Sequence, residues 1–184
     1  MDSSIFFIIA YYIVFVLTVI LIGLYFMTLM ANLLAQVPFV PTRGKVIKHI
    51  VSLARLKKGE KVYDLGCGDG RFLLEAEKRT GIRGIGYENA IIPYLLAKLR
   101  KHINKAKMEI KMENFFRADL SDADVIYCYL GPEAMTALNK KFQKECRKGT
   151  RIYSNSFSIK DVNPYKIWPR DEKKKLPTVY LYKI

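Results

Sequence analysis

A glycine-rich run at residues 61–71, KVYDLGCGDGR, constrains the fold of this chain more than any other segment. Its first half, KVYDL, predicts a short buried strand, and a helical pattern begins at Arg71. Glycine occupies every second position from Gly66 to Gly70, which permits positive φ angles and lets a ligand lie against the backbone. A strand, a glycine turn and a helix in succession present backbone N–H groups to a nucleotide-type ligand. The run therefore predicts an α/β sheet with a nucleoside cofactor at this turn.

A second strand is predicted at residues 83–88, and it ends in an acid. Glu88 follows the last glycine at about the 20-residue spacing at which an acid accepts hydrogen bonds from both ribose hydroxyls. Asn89 is included in the candidate cofactor site because it directly follows Glu88. The alternative is that Glu88 is an ordinary surface glutamate.

The details of the glycine run argue against a nicotinamide dinucleotide. That fingerprint, GxGxxG/A, needs a small sixth residue so that helix and strand can approach, whereas the sixth residue here is Arg71. An acid, Asp64, also precedes the first glycine by two positions. An acid, alternating glycines and a second acid after the next strand together resemble the class I S-adenosylmethionine-dependent methyltransferases.

The resemblance implies an α/β fold, a Rossmann-like class I methyltransferase sheet with helices on both faces. It also implies S-adenosyl-L-methionine as the cofactor. The ribose would bind Glu88, and the methionine end would lie against Asp64 and the turn. The turn residues concerned are Gly66, Cys67, Gly68 and Gly70.

The segment after the third predicted strand, residues 108–112, completes the cofactor site in this resemblance. Asn114 would hydrogen-bond the adenine, and Phe115 would stack on it or cover it. The alternative is that Phe115 and Phe116 are simply core residues, and for Phe116 this alternative is favoured.

The end of the fourth predicted strand, residues 124–130, would face the transferable methyl group. Methyltransferases that act on amino groups of nucleic-acid bases often carry Asn/Asp-Pro-Pro-aromatic here, whereas this chain has Tyr-Leu-Gly-Pro at 129–132. Nucleic acid is therefore an unlikely substrate. Asp119 and Tyr129 are the candidate catalytic residues, because each could orient an acceptor amine. Either could equally be structural, Asp119 in a turn and Tyr129 in sheet packing.

The N-terminal part of the chain has a different character, since no charged residue occurs between Ser3 and Thr42. The apolar run at residues 5–35 exceeds the roughly 20 residues that span a bilayer, so it predicts one N-terminal transmembrane helix. A buried core helix is the alternative. The predicted domains are a membrane anchor at residues 1–37 and a methyltransferase domain at 38–184.

The remainder of the chain is strongly basic. The net charge is +14, which favours a polyanionic neighbour, either nucleic acid or an anionic membrane face; the alternative is merely a basic solvated surface. Arg43, Lys45 and Lys48 follow the apolar run, so the domain is predicted on the cytoplasmic side or the equivalent inner side of an organelle. A stiff connector is predicted at 38–42, with Thr42 as a helix cap. Three cysteines without CxxC spacing and two histidines predict neither a disulfide nor a metal site.

Several features together narrow the resemblance. The chain is similar to the small family that contains the mitochondrial lysine methyltransferases of the adenine nucleotide translocase and the ATP synthase c subunit, with their prokaryotic relatives. The features are the apolar segment before PFVPT, the DLGCGDGR run, residues 114–116, residues 118–120 and a short final strand. The resemblance implies N-methylation of a lysine, with a membrane protein as partner. A small-molecule or lipid methyltransferase and a non-catalytic cofactor-binding scaffold remain alternatives.

The C-terminal tail predicts the far edge of the sheet. A fifth strand is expected at 150–157, and two short strands at 166–168 and 178–182 are expected to form an antiparallel edge. Because the tail is short, one helix of the standard set should be missing.

Overall fold

The computed structural model describes residues 3–34 and 41–184, with side chains at 5–30 and 41–184. The chain divides into two compact units, residues 1–36 and 37–184. Each unit is described by itself.

The first unit is a single helix, α1 (Ser3–Leu34). Within it, Ile5–Met30 has a mean hydropathy of 3.0 and is long and apolar enough to cross a membrane. At 1.5 Å per residue its 26 residues extend about 39 Å, against about 30 Å of bilayer hydrocarbon. The hydroxyls of Thr18 and Thr28 donate to the carbonyls of Val14 and Leu24, so these two polar groups are satisfied within the helix.

The second unit contains a seven-stranded sheet in the order β3-β2-β1-β4-β5-β7-β6. The first five strands run parallel, and β7 is antiparallel to both β5 and β6. The strands are β1 (Lys61–Leu65), β2 (Arg83–Glu88), β3 (Glu109–Met112), β4 (Val125–Cys128), β5 (Arg151–Asn155), β6 (Lys166–Trp168) and β7 (Val179–Lys183). The predicted α/β class and antiparallel edge are confirmed.

Helices cover both faces of this sheet, as predicted. They are α2 (Gly44–Ala54), α3 (Arg71–Thr80), α4 (Ile91–Ile103) and α5 (Pro132–Glu145). One core cluster takes residues from α2, α3 and α4, and the other takes residues from α5. Residues 156–165, between β5 and β6, contain no helix, which confirms the expected loss.

The strand order fixes where a ligand can bind. The chain leaves β1 toward β2 on one side, and β4 and β5 lie on the other side. In open parallel sheets, ligands bind in the crevice beyond the carboxyl ends of strands at such a switch point. The glycine turn that follows β1 lies at this edge.

The predicted helix cap at Thr42 is wrong. The N-cap of α2 is Arg43, and no side chain caps this helix. The carbonyl of Thr42 instead accepts a hydrogen bond from Arg71 Nη1 at 2.7 Å, which ties the start of the domain to the glycine turn.

Candidate functional site

The glycine turn adopts the backbone that its sequence predicts. Gly66, Gly68 and Gly70 have φ angles of 77°, 56° and 73°. A Cβ on Gly66 would also lie 2.9 Å from the Leu130 side chain. The backbone N–H groups of residues 66 and 67 both donate to the carbonyl of Tyr87, so hydrogen bonds hold the turn against the end of β2.

Glu88 supports the turn with its side chain. Its carboxylate is buried and accepts hydrogen bonds from the backbone N–H groups of Gly68 and Ala90, both at 2.9 Å. Each oxygen retains a further lone pair for a hydroxyl group. Glu88 thus has a structural role at the glycine turn that the sequence did not indicate, and its contact with the ribose stays a prediction. Asn89, directly after it, is exposed.

Asp64 is the most deeply buried acid at this edge, with 2% of its surface exposed. Burial, followed by the charges of Glu88 and Asp69, raises the pKa of its carboxyl well above the ordinary value. Among the described residues, no salt bridge involves Asp64. A cationic ligand group would compensate this carboxylate, and the ammonium of a bound methionine moiety has the required charge.

Asp69 forms an ion-pair cluster that the sequence analysis missed. Its buried carboxylate accepts from Arg71 Nε and from Arg100 Nη2, each at 2.7 Å. Burial raises the pKa of Asp69, but the two arginines outweigh that effect and hold it below its usual value. Because Arg71 also binds Thr42, this cluster connects the glycine turn, α4 and the start of the domain.

Cys67 contributes its backbone rather than its thiol. The side chain is buried against Gly86, where an added Cβ would lie 2.7 Å from Cys67 Sγ. Burial raises the pKa of this thiol far above its ordinary value, so it remains protonated.

The predicted adenine contacts are only partly available. Asn114 is exposed and uses its side-chain oxygen to cap a 3₁₀ turn, Phe115–Arg117, by accepting from Phe116 N at 3.0 Å. Its amide NH₂ group remains a possible donor to a base. The Phe115 ring is buried in the core, whereas Phe116 is half-buried. Phe115 thus belongs to the core and Phe116 packs against it, as in the alternative given for the two rings, and the contact of Phe115 with adenine stays a prediction.

A cleft of about 670 Å³ lies beside the ends of β4 and β5. Tyr129, the residue after β4, lines it and stacks on Phe157, with ring centroids 6.2 Å apart. Asn155 lines it from the end of β5 and donates to the Tyr127 hydroxyl at 3.3 Å. Ser156 follows with a φ of 70°, a strained value that is often found at functional sites. The sequence analysis did not identify this polar pair, whose signal was its position at the carboxyl end of the fifth strand.

Two further segments complete the walls of the cleft. Residues 41–43 contribute from the start of the domain, and the hairpin between β6 and β7 contributes from the other side. This hairpin is closed by a bridge between Asp171 and Leu176. Its lining residues include Arg170 and Lys175.

Asp119 lies away from this site. It is exposed, and its carboxylate accepts from the backbone N–H of Ser121 at 2.9 Å, as in a turn. The same loop reaches Asp122, which pairs with Lys61 at the first residue of β1. The glycine turn follows the last residue of β1, so Asp119 is at the opposite end of the strands. The catalytic prediction for Asp119 is corrected on this ground.

The similarities to known proteins agree with this geometry. The ANTKMT methyltransferase domain matches residues 64–166. A protein-lysine N-methyltransferase of Saccharolobus islandicus is 34% identical over 152 residues, which cover 81% of this chain and 94% of that protein. The chain belongs to the ANTKMT methyltransferase family.

Two further relatives extend this family to animals. The adenine nucleotide translocase lysine N-methyltransferase of Mus musculus is 29% identical, over 78% of this chain and 67% of that protein. The ATP synthase c-subunit lysine N-methyltransferase of Homo sapiens is 27% identical, over 69% of this chain and 54% of that protein. The family is one of S-adenosylmethionine-dependent protein-lysine N-methyltransferases.

Solved structures support the same fold and cofactor. An RNA methyltransferase from Salinibacter ruber, solved with S-adenosyl-L-homocysteine, has a TM-score of 0.73 and 28% identity, over 79% of this chain and 94% of that chain. A methyltransferase from Thiobacillus denitrificans, also solved with S-adenosyl-L-homocysteine, shares the fold at a TM-score of 0.53 and 20% identity, over 63% of this chain and 49% of that chain. This ANTKMT family member is thus a methyltransferase that uses S-adenosylmethionine.

Proposed function

We propose that this enzyme methylates the side-chain amine of a lysine on a membrane protein, close to the bilayer that holds its own N-terminal helix. The observation that carries the proposal is the position of residues 41–43 in the cleft wall. These residues come shortly after the candidate membrane span, Ile5–Met30. Because part of the cleft wall follows the candidate span closely in the sequence, the cleft is suited to an acceptor that is itself held at a membrane.

The charges in the cleft suit an amine acceptor. Arg43, Arg170 and Lys175 line it together with one acid, Glu172, which already pairs with Arg170 at 2.7 Å. Neighbouring positive charge lowers the pKa of an ammonium group, so a lysine entering the cleft loses its proton more readily. The neutral amine is the form that can act as a nucleophile.

The remaining residues hold and orient the reactants. Bound S-adenosylmethionine supplies an electrophilic methyl group. The ionised carboxylate of Asp64 would balance the ammonium of its methionine moiety, and Glu88 would bind the ribose. Tyr129 would form the wall that positions the acceptor amine, because holding two reactants in line is the main contribution a protein makes to such a transfer.

The sidedness belongs to the same proposal. Basic residues follow the apolar segment and one acid, Asp2, precedes it, which favours a domain on the cytoplasmic or equivalent inner side.

The deciding experiment is methyl transfer by the full chain in native membranes with radiolabelled S-adenosylmethionine. We expect the label in a protein band, and in methyl-lysine after hydrolysis of that band. The Asp64→Ala variant, assayed in parallel, should transfer at most about one hundredth as much label, since it lacks the carboxylate proposed at the methionine end.

The distribution of label separates the alternatives. Label in a lipid extract alone would support a lipid methyltransferase, and label in RNA alone would support a substrate like that of the Salinibacter relative. Absence of label, with cofactor binding retained, would support a scaffold. Each of these three results would overturn the lysine proposal.

A further inference from the structure

The exposed side of α4 is unusually apolar. Six of its residues have between 43% and 68% of their surface exposed; they are Ile91, Ile92, Leu95, Leu96, Leu99 and Ile103. At about 100° per residue they occupy an arc of roughly 140° around the helix, in which the exposed His102 also lies. In contrast, only Pro93 and Ala97 of this helix are buried. The side of α4 that faces away from the sheet is therefore more apolar than the side that packs on it.

Basic residues flank this arc. The segment from residue 91 to residue 107 contains no acid. It does contain four lysines, namely Lys98 and Lys101 on the helix and Lys105 and Lys107 just after it, besides Arg100, which pairs with Asp69. An apolar face bordered by lysine and arginine is the pattern of helices that lie in the headgroup region of anionic membranes.

The ion-pair cluster links α4 to the start of the domain. Arg100, in the last turn of α4, binds Asp69, and Asp69 binds Arg71. Arg71 in turn binds the Thr42 carbonyl at 2.7 Å. Arg71 and Arg100 also line one pocket with Gly44 and Lys48 of α2. Thr42, the second described residue of this unit, is therefore joined to the last turn of α4 through Arg71 and Asp69.

We infer that α4 binds the surface of an anionic phospholipid bilayer and forms a contact between the methyltransferase domain and the membrane in addition to the N-terminal helix. The apolar arc would lie at the boundary of headgroups and acyl chains, and the flanking lysines would meet lipid phosphates. The inference rests on the proposed membrane location of the enzyme.

The test uses the full chain in vesicles of equimolar phosphatidylcholine and phosphatidylglycerol. A single cysteine at Leu99→Cys carries an environment-sensitive fluorophore, and the three native cysteines are buried and so poorly reactive. The matched control is Gln143→Cys, an exposed position on α5, which lies on the other face of the sheet. We expect nitroxide-labelled lipids to quench the Leu99 probe at least about threefold more than the Gln143 probe.

A charge variant provides the second measurement. With the probe at Ile103→Cys, the double substitution Leu95→Glu and Leu99→Glu should reduce quenching to the control level, because two carboxylates oppose both the apolar and the ionic contact. The matched pair Ala137→Glu and Gln143→Glu on α5 should leave quenching unchanged. All four positions are exposed, so thermal unfolding in detergent should be little altered.

Equal quenching of the Leu99 and Gln143 probes would overturn the inference. So would energy transfer between chains labelled at position 99 without lipid quenching, since a second copy would then cover α4. Failure of the chain to float with vesicles would overturn it together with the proposed membrane location. Methyl transfer is measured separately, so loss of the lysine proposal would leave the quenching result standing, and the reverse holds as well.

Discussion

The negative charge of Asp64 is proposed to bind the cofactor, but it reduces the stability of the cofactor-free fold. Its buried carboxyl has a raised pKa in the folded chain, so ionising it at neutral pH costs folding free energy. The contribution of this group to stability without cofactor should therefore be greatest below about pH 4, where it is protonated in both states, and should decrease as the pH rises through the folded pKa. Asp64→Asn removes the charge while keeping the shape.

We expect Asp64→Asn to raise the cofactor-free free energy of unfolding at pH 7 by on the order of 1 kcal/mol and to flatten its dependence on pH. Affinity for S-adenosylmethionine should decrease at least about tenfold, because the ammonium loses its counter-charge. Thermal unfolding and titration calorimetry in detergent measure both effects. Asp119→Asn is the matched control and should change neither affinity nor methyl transfer; a large loss of transfer there would restore Asp119 as a catalytic residue.

Glu88 allows a second test at the residue scale. The carboxylate of Glu88 accepts a hydrogen bond from each of two backbone N–H groups, those of Gly68 and Ala90. In Glu88→Gln an NH₂ group would replace one of these acceptor oxygens, so one of the two N–H groups would lose its hydrogen bond. We expect cofactor affinity to decrease at least about tenfold and the free energy of unfolding to decrease by about 1–3 kcal/mol. Glu113→Gln, just after β3, is the control. Unchanged affinity in Glu88→Gln and also in Glu88→Ala would show that this acid does not bind the ribose.

The part of the site that the sequence predicted correctly is the backbone conformation of the glycine turn, which is local. Gly66 and Gly70 have positive φ because the turn is encoded within a few residues. Asp69 was missed because its partner Arg100 is far along the chain and only the fold brings the two together. Asp119 was misplaced although its position carried a signal, since a residue before a parallel strand lies at the edge of the sheet opposite to the ligand crevice.

At the scale of elements, β2 must leave room for the glycine turn. A Cβ on Gly86 would lie 2.7 Å from Cys67 Sγ and 3.0 Å from a Leu73 methyl, both in the packed core. We expect Gly86→Ala to reduce the free energy of unfolding by about 1–3 kcal/mol and to weaken cofactor binding by displacing the turn. Chemical denaturation and calorimetry measure the two effects.

The control for this change is Gly44→Ala. Nothing lies within 4 Å of a Cβ there, and the residue begins α2, so alanine should be neutral or stabilising by about 0.5–1 kcal/mol. If Gly86→Ala bound cofactor as well as Gly44→Ala does, the contact between β2 and the turn would not determine the shape of the cofactor site.

The sequence predicted the bounds of helices and strands more accurately than it predicted which of their side chains are exposed. The strands predicted at 83–88 and 166–168 are β2 and β6 with the same bounds. The apolar pattern of α4 nevertheless gave no sign that most of it would be exposed. Periodicity identifies an apolar face, whereas only the packed structure shows whether the protein covers it.

At the scale of the whole molecule, charge and hydropathy are divided along the chain. The candidate membrane span contains no charged residue, and all 31 lysines and arginines of the chain lie beyond Thr42. Such a distribution favours association with an anionic surface and orients the chain during insertion. The lysine proposal and the α4 inference both depend on the membrane location, whereas the orientation decides on which side the acceptor lysine lies.

The orientation can be measured with a single cysteine on the full chain. Gln143→Cys is exposed on α5, while Cys67, Cys128 and Cys146 are buried, so a membrane-impermeant maleimide should label only position 143. Because basic residues follow the span, we expect labelling in inverted membrane vesicles and at least about tenfold less in intact cells. Detergent should make labelling equal in the two preparations, and replacing Arg43, Lys45 and Lys48 by glutamate should reduce the difference between them. Strong labelling of intact cells would place the domain outside and would require an acceptor lysine on that side of the membrane.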